Sequence, residues 1–324
     1  MCTAITMLSG NHYFGRNLDY EHTFGEAVTV TPRNFDFKFR NCKSLNSHYA
    51  IIGMAAVSQG YPLYFDATNE KGLSMAGLNF PEFAVYQPYK NGKDNIAPYE
   101  FIPWILGQCA DIAECKKLLE NINLENVNFS EDLPNSPLHW IISDREASVT
   151  VEAVSDGLKI YDNPVGVLTN SPAFDMQMFN LNNYMALSNN NPKNYFSEKL
   201  DFNIYSRGMG AMGLPGDLSS MSRFVRACFV KFSSVCSPTE TESVNQFFHI
   251  LYSVYQQRGC VEVKNGMYEI TNYSSCCNTD KGIYYYTTYE NSTITAVDMH
   301  RENLDGGTLV VYPLVNVQNI IMQN

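Results

Sequence analysis

Strand-like and helix-like segments come in blocks along this chain, several elements at a time. Strand patterns occupy residues 3–78, 138–161 and 283–312, and helical patterns occupy 100–120 and 222–254. Parallel strands need a crossover connection between them, usually a helix, so blocks of this kind disfavour a βαβ fold. The order predicts an α+β protein in which helices pack on antiparallel sheets.

Nothing in the sequence marks a domain boundary. No repeat, low-complexity linker or charge run divides the chain, so we expect one domain over residues 1–324. The start lacks the basic and apolar regions of a signal peptide. The longest apolar run, 50–57, is too short to span a bilayer. These features predict a cytoplasmic protein.

Charge and cysteine usage narrow the class of protein. The net charge is −11, without Lys/Arg clusters, which argues against nucleic acid or an anionic membrane surface as a partner. The nine cysteines are odd in number and show no CxxC pair. A disulfide scaffold and a structural zinc site are therefore not expected, and most of the cysteines should be small buried hydrophobic residues.

Cys2 is the residue with the clearest chemical potential. A small residue behind Met1 permits removal of that methionine, and the chain would then begin with a thiol. An N-terminal cysteine combines a nucleophile of pKa about 8.5 with an amine of pKa about 7.7–8.0, so proton transfer between them costs only ~1 kcal/mol. Position alone leaves the alternative open, a buried strand residue near a frayed end.

Arg16 and Asp19 follow a predicted turn at Gly10, so a hairpin would bring both side chains opposite Cys2. A cation beside a thiol stabilises the thiolate, and a carboxylate can orient an amino group. An ordinary surface ion pair between Arg16 and Asp19 is the alternative.

Three further polar residues could complete such a site. Asn79 ends a predicted strand and Asn170 lies in a turn, where amide groups can stabilise an oxyanion. Either asparagine could instead be routine turn chemistry. Arg223 lies near the start of a predicted helix, where the helix dipole disfavours a cation, which hints at a specific partner.

Two other patterns favour structural roles. Residues 208–213 spell GxGxxG, but Leu214-Pro215-Gly216 follows instead of a helix, so nucleotide binding is not predicted. His139 could act as the base of a Cys/His dyad, yet its strand pattern favours a core or interface histidine.

Taken together, the sequence resembles the choloylglycine hydrolases, a branch of the N-terminal nucleophile hydrolases. The resemblance rests on Met-Cys-Thr-Ala at the start and on the segments 15–19, 77–81, 169–172 and 213–224. It implies a four-layer αββα sandwich and a thioester intermediate, with no metal or organic cofactor. It also implies a role for each site residue: Cys2 as nucleophile with its own α-amino group as base, Arg16 and Asp19 to tune and orient it, Asn79 and Asn170 as the oxyanion hole, and Arg223 to complete the polar network.

Two substrate classes compete within that family. With asparagine at position 79 the sequence resembles the bile salt hydrolases, since penicillin V acylases tend to carry tyrosine there. We therefore expect glycine- or taurine-conjugated bile salts as substrates, with penicillin V or a related acyl amide as the alternative. Candidates for an apolar steroid pocket are Leu18, Tyr20, Tyr61, Phe65 and Phe129, although each could be core packing.

Two further expectations concern assembly and processing. The resemblance implies a homo-oligomer, a tetramer. A hypothesis of another class is a non-catalytic protein that binds an amphipathic ligand, with Cys2 blocked because Met1 is retained.

Overall fold

A computed structural model describes all 324 residues. The strands are β1 (Cys2–Ser9), β2 (Asn11–Tyr20), β3 (Glu26–Thr31), β4 (Ile51–Ser58), β5 (Tyr61–Asn69), β6 (Ser74–Asn79), β7 (Asp94–Ile96), β8 (Ile122–Leu124), β9 (Leu138–Ser143), β10 (Ser148–Val154), β11 (Gly157–Asp162), β12 (Val167–Leu168), β13 (Glu262–Lys264), β14 (Met267–Tyr268), β15 (Ile270–Asn278), β16 (Ile283–Thr288), β17 (Thr295–Asp298) and β18 (Val310–Pro313). The helices are α1 (Phe101–Gln108), α2 (Ile112–Leu119), α3 (Phe174–Asn180), α4 (Ser220–Ser233) and α5 (Glu240–Tyr252).

Two large sheets, each antiparallel throughout, form the centre of the molecule. The first sheet has the order β12-β1-β2-β15-β16-β17, and the second has the order β11-β10-β9-β6-β5-β4-β3-β18. The short strands β7 and β8 pair in parallel beside them, and β13 and β14 form a small hairpin. The antiparallel architecture predicted from the block pattern is confirmed.

Helices cover the outer faces of both sheets. Helices α4 and α5 pack on β1, β2 and β15 of the first sheet, whereas α1 packs on β4, β5 and β6 of the second. One hydrophobic core fills the space between the sheets and beneath α4 and α5, and a second core lies between the second sheet and α1 and α2. The layers therefore follow the order αββα, as expected. None of the helices is both long and apolar enough to cross a lipid bilayer.

The β1–β2 hairpin fixes where the start of the chain lies. It turns at Gly10, whose φ of +67° suits glycine, and its register pairs Cys2 with Leu18 and Ala4 with Arg16. Gly15 on β2 faces β15 so closely that a Cβ would lie 2.0 Å from the carbonyl oxygen of Ser275. Glycine at this position allows β15 to pair along the hairpin, and β1 and β2 become inner strands of the first sheet.

Several short strands were not predicted from the sequence (β7, β8, β12, β13 and β14), nor were two elements that bear on the position of the start of the chain, β15 and α3. Strand β15 lies between β2 and β16 in the first sheet, and α3 follows Asn170. Strand β15 lacks an apolar alternation because Ser274, Ser275 and Asn278 are buried with their polar groups paired to other strands and to α5. Periodicity cannot identify a strand whose buried face is polar.

Candidate active site

Cys2 lies at the start of β1, where it is 4% exposed. Its backbone N–H donates to Oδ1 of Asn170 at 2.8 Å, and its carbonyl oxygen accepts Nη1 of Arg223 at 2.6 Å. Met1 continues the pairing beyond β1: its ammonium group donates to the carbonyl oxygen of Asp19 at 2.7 Å and contacts the Glu269 carboxylate. While Met1 is attached, the nitrogen of Cys2 is an amide and cannot act as a base.

Arg16 is fully buried and reaches from the first sheet to the second. Its Nη1 donates to the carbonyl oxygens of Phe65 at 3.0 Å and Gly77 at 2.5 Å, while Nη2 has no partner. Burial acts to lower the pKa of Arg16, but the nearby Cys2 thiol, and Tyr273, Asp66 and Asp19, outweigh it and raise the pKa. The guanidinium therefore stays cationic, with both N–H bonds of its Nη2 group free.

Asp66 provides a countercharge behind Arg16 that sequence reasoning missed. Its carboxylate accepts the hydroxyl groups of Tyr273 and Tyr284, each at 2.6 Å, and of Ser275 at 3.1 Å. Burial raises the pKa of Asp66, although the Arg16 cation and the three hydroxyl donors oppose that rise. A carboxylate within an apolar strand pattern was the signal that could have identified it.

Asp19 and Arg223 are also fully buried and face each other. Nη1 of Arg223 lies 3.9 Å from Oδ2 of Asp19, and Oδ1 of Asp19 accepts the Thr271 hydroxyl at 2.6 Å. Burial raises the pKa of Asp19 and lowers the pKa of Arg223, and each group opposes the shift of the other. Oδ2 of Asp19 has no hydrogen-bond partner, so it can accept a proton donor next to Cys2.

Asn170 connects both sheets at this point. Its Oδ1 accepts Nη2 of Arg223 at 2.7 Å as well as the Cys2 N–H, and its Nδ2 donates to the carbonyl oxygen of Asn79 at 2.7 Å. Gln177 on α3 holds the turn, because its Nε2 donates to the carbonyl oxygen of Asn170 at 2.8 Å. The Asn170 amide thus contacts Cys2 on one side and the backbone of Asn79 on the other, which brings both predicted asparagines into one group with Cys2.

Of the five predicted pocket residues, three lie near this cluster. Leu18 pairs with Cys2 across the hairpin, and Phe65 holds Arg16 through its carbonyl oxygen. Tyr20 and Phe65 both contact Phe24, with ring centroids 4.8 Å and 5.5 Å apart. Sequence reasoning missed Phe24, which is 40% exposed and lies in an irregular segment without periodicity.

Tyr61 and Phe129 belong to a different aromatic cluster. Both contact Tyr99, at centroid distances of 6.0 and 5.2 Å, and Tyr61 also packs on Phe37 of the second core. The structure does not bring these two side chains into the group around Cys2, so their role in a pocket stays a prediction.

The two patterns interpreted as structural have no contact with Cys2. His139 is buried between Glu152 and the carbonyl oxygen of Thr169, so no Cys/His dyad forms. The GxGxxG segment forms a short 3-10 turn at Met209–Ala211 with no strand leading into it. No group of three or more His, Cys, Asp or Glu side chains has an arrangement that could hold a metal ion.

Comparison with known proteins defines the class. Residues 2–312 match the model of the choloylglycine hydrolase family of linear amide C–N hydrolases. The chain belongs to this family, and it is a hydrolase of linear amide C–N bonds.

Individual relatives match over nearly the whole chain. It is 60% identical over 314 residues, 97% of each protein, to the bile salt hydrolase/transferase of Lactiplantibacillus plantarum. It is 40% identical over 317 residues, 96% of each, to that of Clostridium perfringens. A crystal structure of the conjugated bile acid hydrolase from Clostridium perfringens, a mutant, superposes with a TM-score of 0.92 at 38% identity and full coverage of both chains.

A more distant structure shares the fold alone. The penicillin V acylase from Agrobacterium tumefaciens has a TM-score of 0.72 at 20% identity, covering 95% of this chain and 90% of its own. At that identity the likeness confirms the sandwich architecture and says nothing about substrate.

Proposed function

We propose that the chain hydrolyses glycine- or taurine-conjugated bile salts, with Cys2 as the nucleophile. One observation supports the mechanism above all: Asn170, Arg223, Asp19 and Arg16 converge on Cys2 at the start of β1. The names of the relatives at 60% and 40% identity support the substrate class.

Maturation comes first in this mechanism. Hydrolysis of the Met1–Cys2 peptide bond turns the nitrogen of Cys2 into an α-amino group. The Cys2 thiol then gives its proton to that amine, and the thiolate attacks the carbonyl carbon of the substrate amide. The C–N bond breaks as the protonated amine returns the proton to the departing nitrogen, which leaves a thioester. Water, deprotonated by the same amine, cleaves the C–S bond and releases the bile acid.

The surrounding residues have distinct roles in this proposal. The cationic Arg16 stabilises the thiolate, and the unpartnered Oδ2 of Asp19 accepts a hydrogen bond from the new α-amino group. The Nδ2 group of Asn170 has a second N–H beyond the one bound to Asn79, and with the amide of Asn79 it stabilises the oxyanion. Arg223 holds the Cys2 carbonyl and Asn170 in place. No step requires a cofactor.

The steroid would lie against the apolar residues next to this cluster. Leu18, Tyr20 and Phe65, with Phe24, form an apolar group beside Cys2. Phe24 is partly exposed, so a bile acid could contact it without displacing the core.

A substrate panel tests the proposal against its alternative. We expect kcat/KM for glycocholate and taurocholate to exceed kcat/KM for penicillin V by at least about tenfold, which corresponds to ~1.4 kcal/mol of transition-state binding. A preference for penicillin V would overturn the assignment of Asn79 to the bile salt branch. Binding of both bile salts without any turnover would favour the non-catalytic hypothesis.

We also propose acyl transfer as a second activity of the same thioester, because the two relatives cited are named hydrolase/transferase. An amine that replaces water at the thioester would form a new amide. Adding a free amino acid at millimolar concentration during turnover of taurocholate should give its bile acid conjugate by mass spectrometry. Free bile acid as the sole product would contradict this activity.

We further propose a homotetramer that uses an exposed apolar surface around residues 179–212. Five large apolar side chains in this segment are each at least 77% exposed: Phe179, Met185, Tyr195, Phe196 and Tyr205. Single exposed apolar residues are common, but a group of this kind indicates an interaction surface. An apolar groove of about 440 Å³ runs between residues 181–189 and α4. A second copy, which presents the same side chains, is an occupant of matching chemistry.

Native mass spectrometry tests this assembly. The wild-type chain should be tetrameric, and Phe196→Ser with Tyr195→Ser should give smaller species. Tyr89→Ser, which changes a residue 57% exposed outside this surface, is the control. A monomeric wild type would contradict the proposal.

The free cysteines bear on the location of the protein in the cell. All nine are free, which supports the proposed cytoplasmic location.

A further inference from the structure

His139 is a buried polar residue that the proposed chemistry does not use. Its ring and the Glu152 side chain are both fully buried, and Nδ1 of His139 lies 3.0 Å from Oε1 of Glu152. The other ring nitrogen, Nε2, lies 2.9 Å from the carbonyl oxygen of Thr169. The ring thus lies between two acceptors, and it donates to both when it carries two protons.

These contacts join the two segments that provide the oxyanion amides. His139 is on β9 of the second sheet, where it pairs with Leu78, the residue before Asn79. Thr169 follows β12 of the first sheet and precedes Asn170. The hydrogen bond from His139 to Thr169 therefore crosses between the sheets, one residue away from each asparagine.

A second contact reinforces this bridge. The ring of Phe80, the residue after Asn79, stacks on His139 with centroids 4.2 Å apart and planes 6° apart. Glu152 also accepts the backbone N–H of Phe174 at 3.0 Å, at the start of the helix that carries Gln177. His139 and Glu152 thus contact both sides of the Asn79–Asn170 pair.

We propose that His139, held by Glu152, is a positioning residue that sets the separation of Asn79 and Asn170. The proposal rests on the function proposed above, because the two asparagines are assigned there to the oxyanion. Oxyanion donors act only within a narrow range of distances, so a small shift between the sheets lowers the rate of the chemical step. His139 does not touch the substrate and has no place in proton transfer.

Matched substitutions separate positioning from packing. His139→Gln keeps an N–H donor near the position of Nε2, whereas His139→Phe keeps an aromatic ring against Phe80 but donates nothing. The proposal predicts that His139→Phe lowers kcat roughly ten- to a hundredfold with KM within about twofold, and that His139→Gln retains more of the wild-type kcat. A role in packing alone predicts the opposite order.

His48 provides a control. Its ring is also buried between two backbone carbonyl oxygens, those of Tyr49 at 2.7 Å and Phe35 at 2.9 Å, but it packs on Phe37 of the second core. His48→Phe should lower stability and leave kcat unchanged. Equal kcat losses in the His48 and His139 variants would overturn the proposal, as would a loss confined to KM.

Two further experiments keep the proposal testable if a variant does not fold or if the proposed function is wrong. If His139→Phe does not fold, His139→Asn, which reaches Glu152 but not Thr169, should show the same kcat loss relative to His139→Gln. If the wild type hydrolyses no conjugate, the proposed function fails, and a crystal structure of His139→Phe decides the positioning claim. In that structure the hydrogen bond from Nδ2 of Asn170 to the carbonyl oxygen of Asn79 should be broken. An unchanged hydrogen bond would overturn the positioning claim.

Discussion

The side-chain oxygen of Asn170 accepts the backbone N–H of Cys2 at 2.8 Å while it also accepts a guanidinium N–H of Arg223 at 2.7 Å. Because this oxygen is occupied, the orientation of the amide is fixed, and its Nδ2 donates to the carbonyl oxygen of Asn79 at 2.7 Å. The Asn170 side chain thereby links the proposed nucleophile Cys2, the buried cation Arg223 and the backbone of Asn79.

Asn170→Asp tests this orientation. A carboxylate can still accept from Cys2 and Arg223, but it loses the N–H groups and adds a negative charge beside the developing oxyanion. We expect kcat to fall about 10²- to 10³-fold, the cost of one oxyanion donor. Steady-state kinetics on glycocholate check this, with circular dichroism to confirm folding. Near-wild-type kcat would exclude Asn170 as an oxyanion donor.

Asp66→Asn tests the countercharge behind Arg16. The substitution removes one of the two carboxylates that raise the pKa of the buried Arg16 guanidinium, and it weakens the hydrogen bonds from Tyr273 and Tyr284. We expect the free energy of unfolding to fall by about 3 kcal/mol, as for a broken buried charge pair. Tyr284→Phe removes one hydrogen bond without a change of charge and should cost only about 1 kcal/mol. Urea titrations measure both, and equal losses would contradict an electrostatic role.

His12 should make stability fall in mild acid. Burial lowers its pKa from 6.5 to about 4, while Asp280 and Asp144 oppose this shift and Arg145 and Lys231 add to it. The unfolded chain therefore binds the proton first, and stability is lost as the pH falls from 6.5 towards 4. This residue alone should cost about 2 kcal/mol between pH 7 and pH 5.

A comparison of variants separates the contribution of His12 to this loss of stability from the contributions of other titrating groups. His12→Gln should show a smaller loss of stability than the wild type over the same pH range, measured by urea unfolding. His22→Gln, at a histidine whose side chain is 54% exposed, is the control substitution. Parallel profiles for His12→Gln and the wild type would refute the prediction.

Retention of Met1 should abolish turnover without unfolding the chain. Met1 fits the structure by pairing with Asp19 and Glu269, but it leaves the Cys2 nitrogen as an amide. We expect protein whose intact mass includes Met1 to be folded and inactive, and treatment with a methionine aminopeptidase to increase activity in proportion to the mass lost. Full activity with Met1 present would exclude the α-amino group as the base.

The hairpin explains why part of this site was predictable from sequence. A turn at Gly10 fixes the register of β1 and β2, so the positions of Arg16 and Asp19 near Cys2 follow from local spacing. The block order of strands and helices likewise predicted antiparallel sheets with helices packed on them, whereas the αββα layering was implied by the family resemblance. Both are properties of short segments of chain, which sequence patterns report directly.

Other contacts depend on segments far apart in sequence and could not be predicted. Glu269 and Thr271 reach the site through β15 and the residue before it, and β15 has no apolar alternation because its buried hydroxyl and amide groups pair with polar partners. Tyr61 groups with Phe37 and Tyr99, which lie outside β5, rather than with Phe65 of the same strand. Periodicity within a single strand does not indicate contacts with other segments of the chain.

Release of glycine from glycocholate by Cys2→Ala is the measurement that tests the central claim most directly. The variant lacks only the sulfur, and alanine still permits removal of Met1, so the fold and the new α-amino group are retained. We predict that the folded variant releases glycine no faster than buffer alone, while the wild-type chain turns over. Release of glycine by Cys2→Ala at a rate near that of the wild type would contradict Cys2 as the nucleophile.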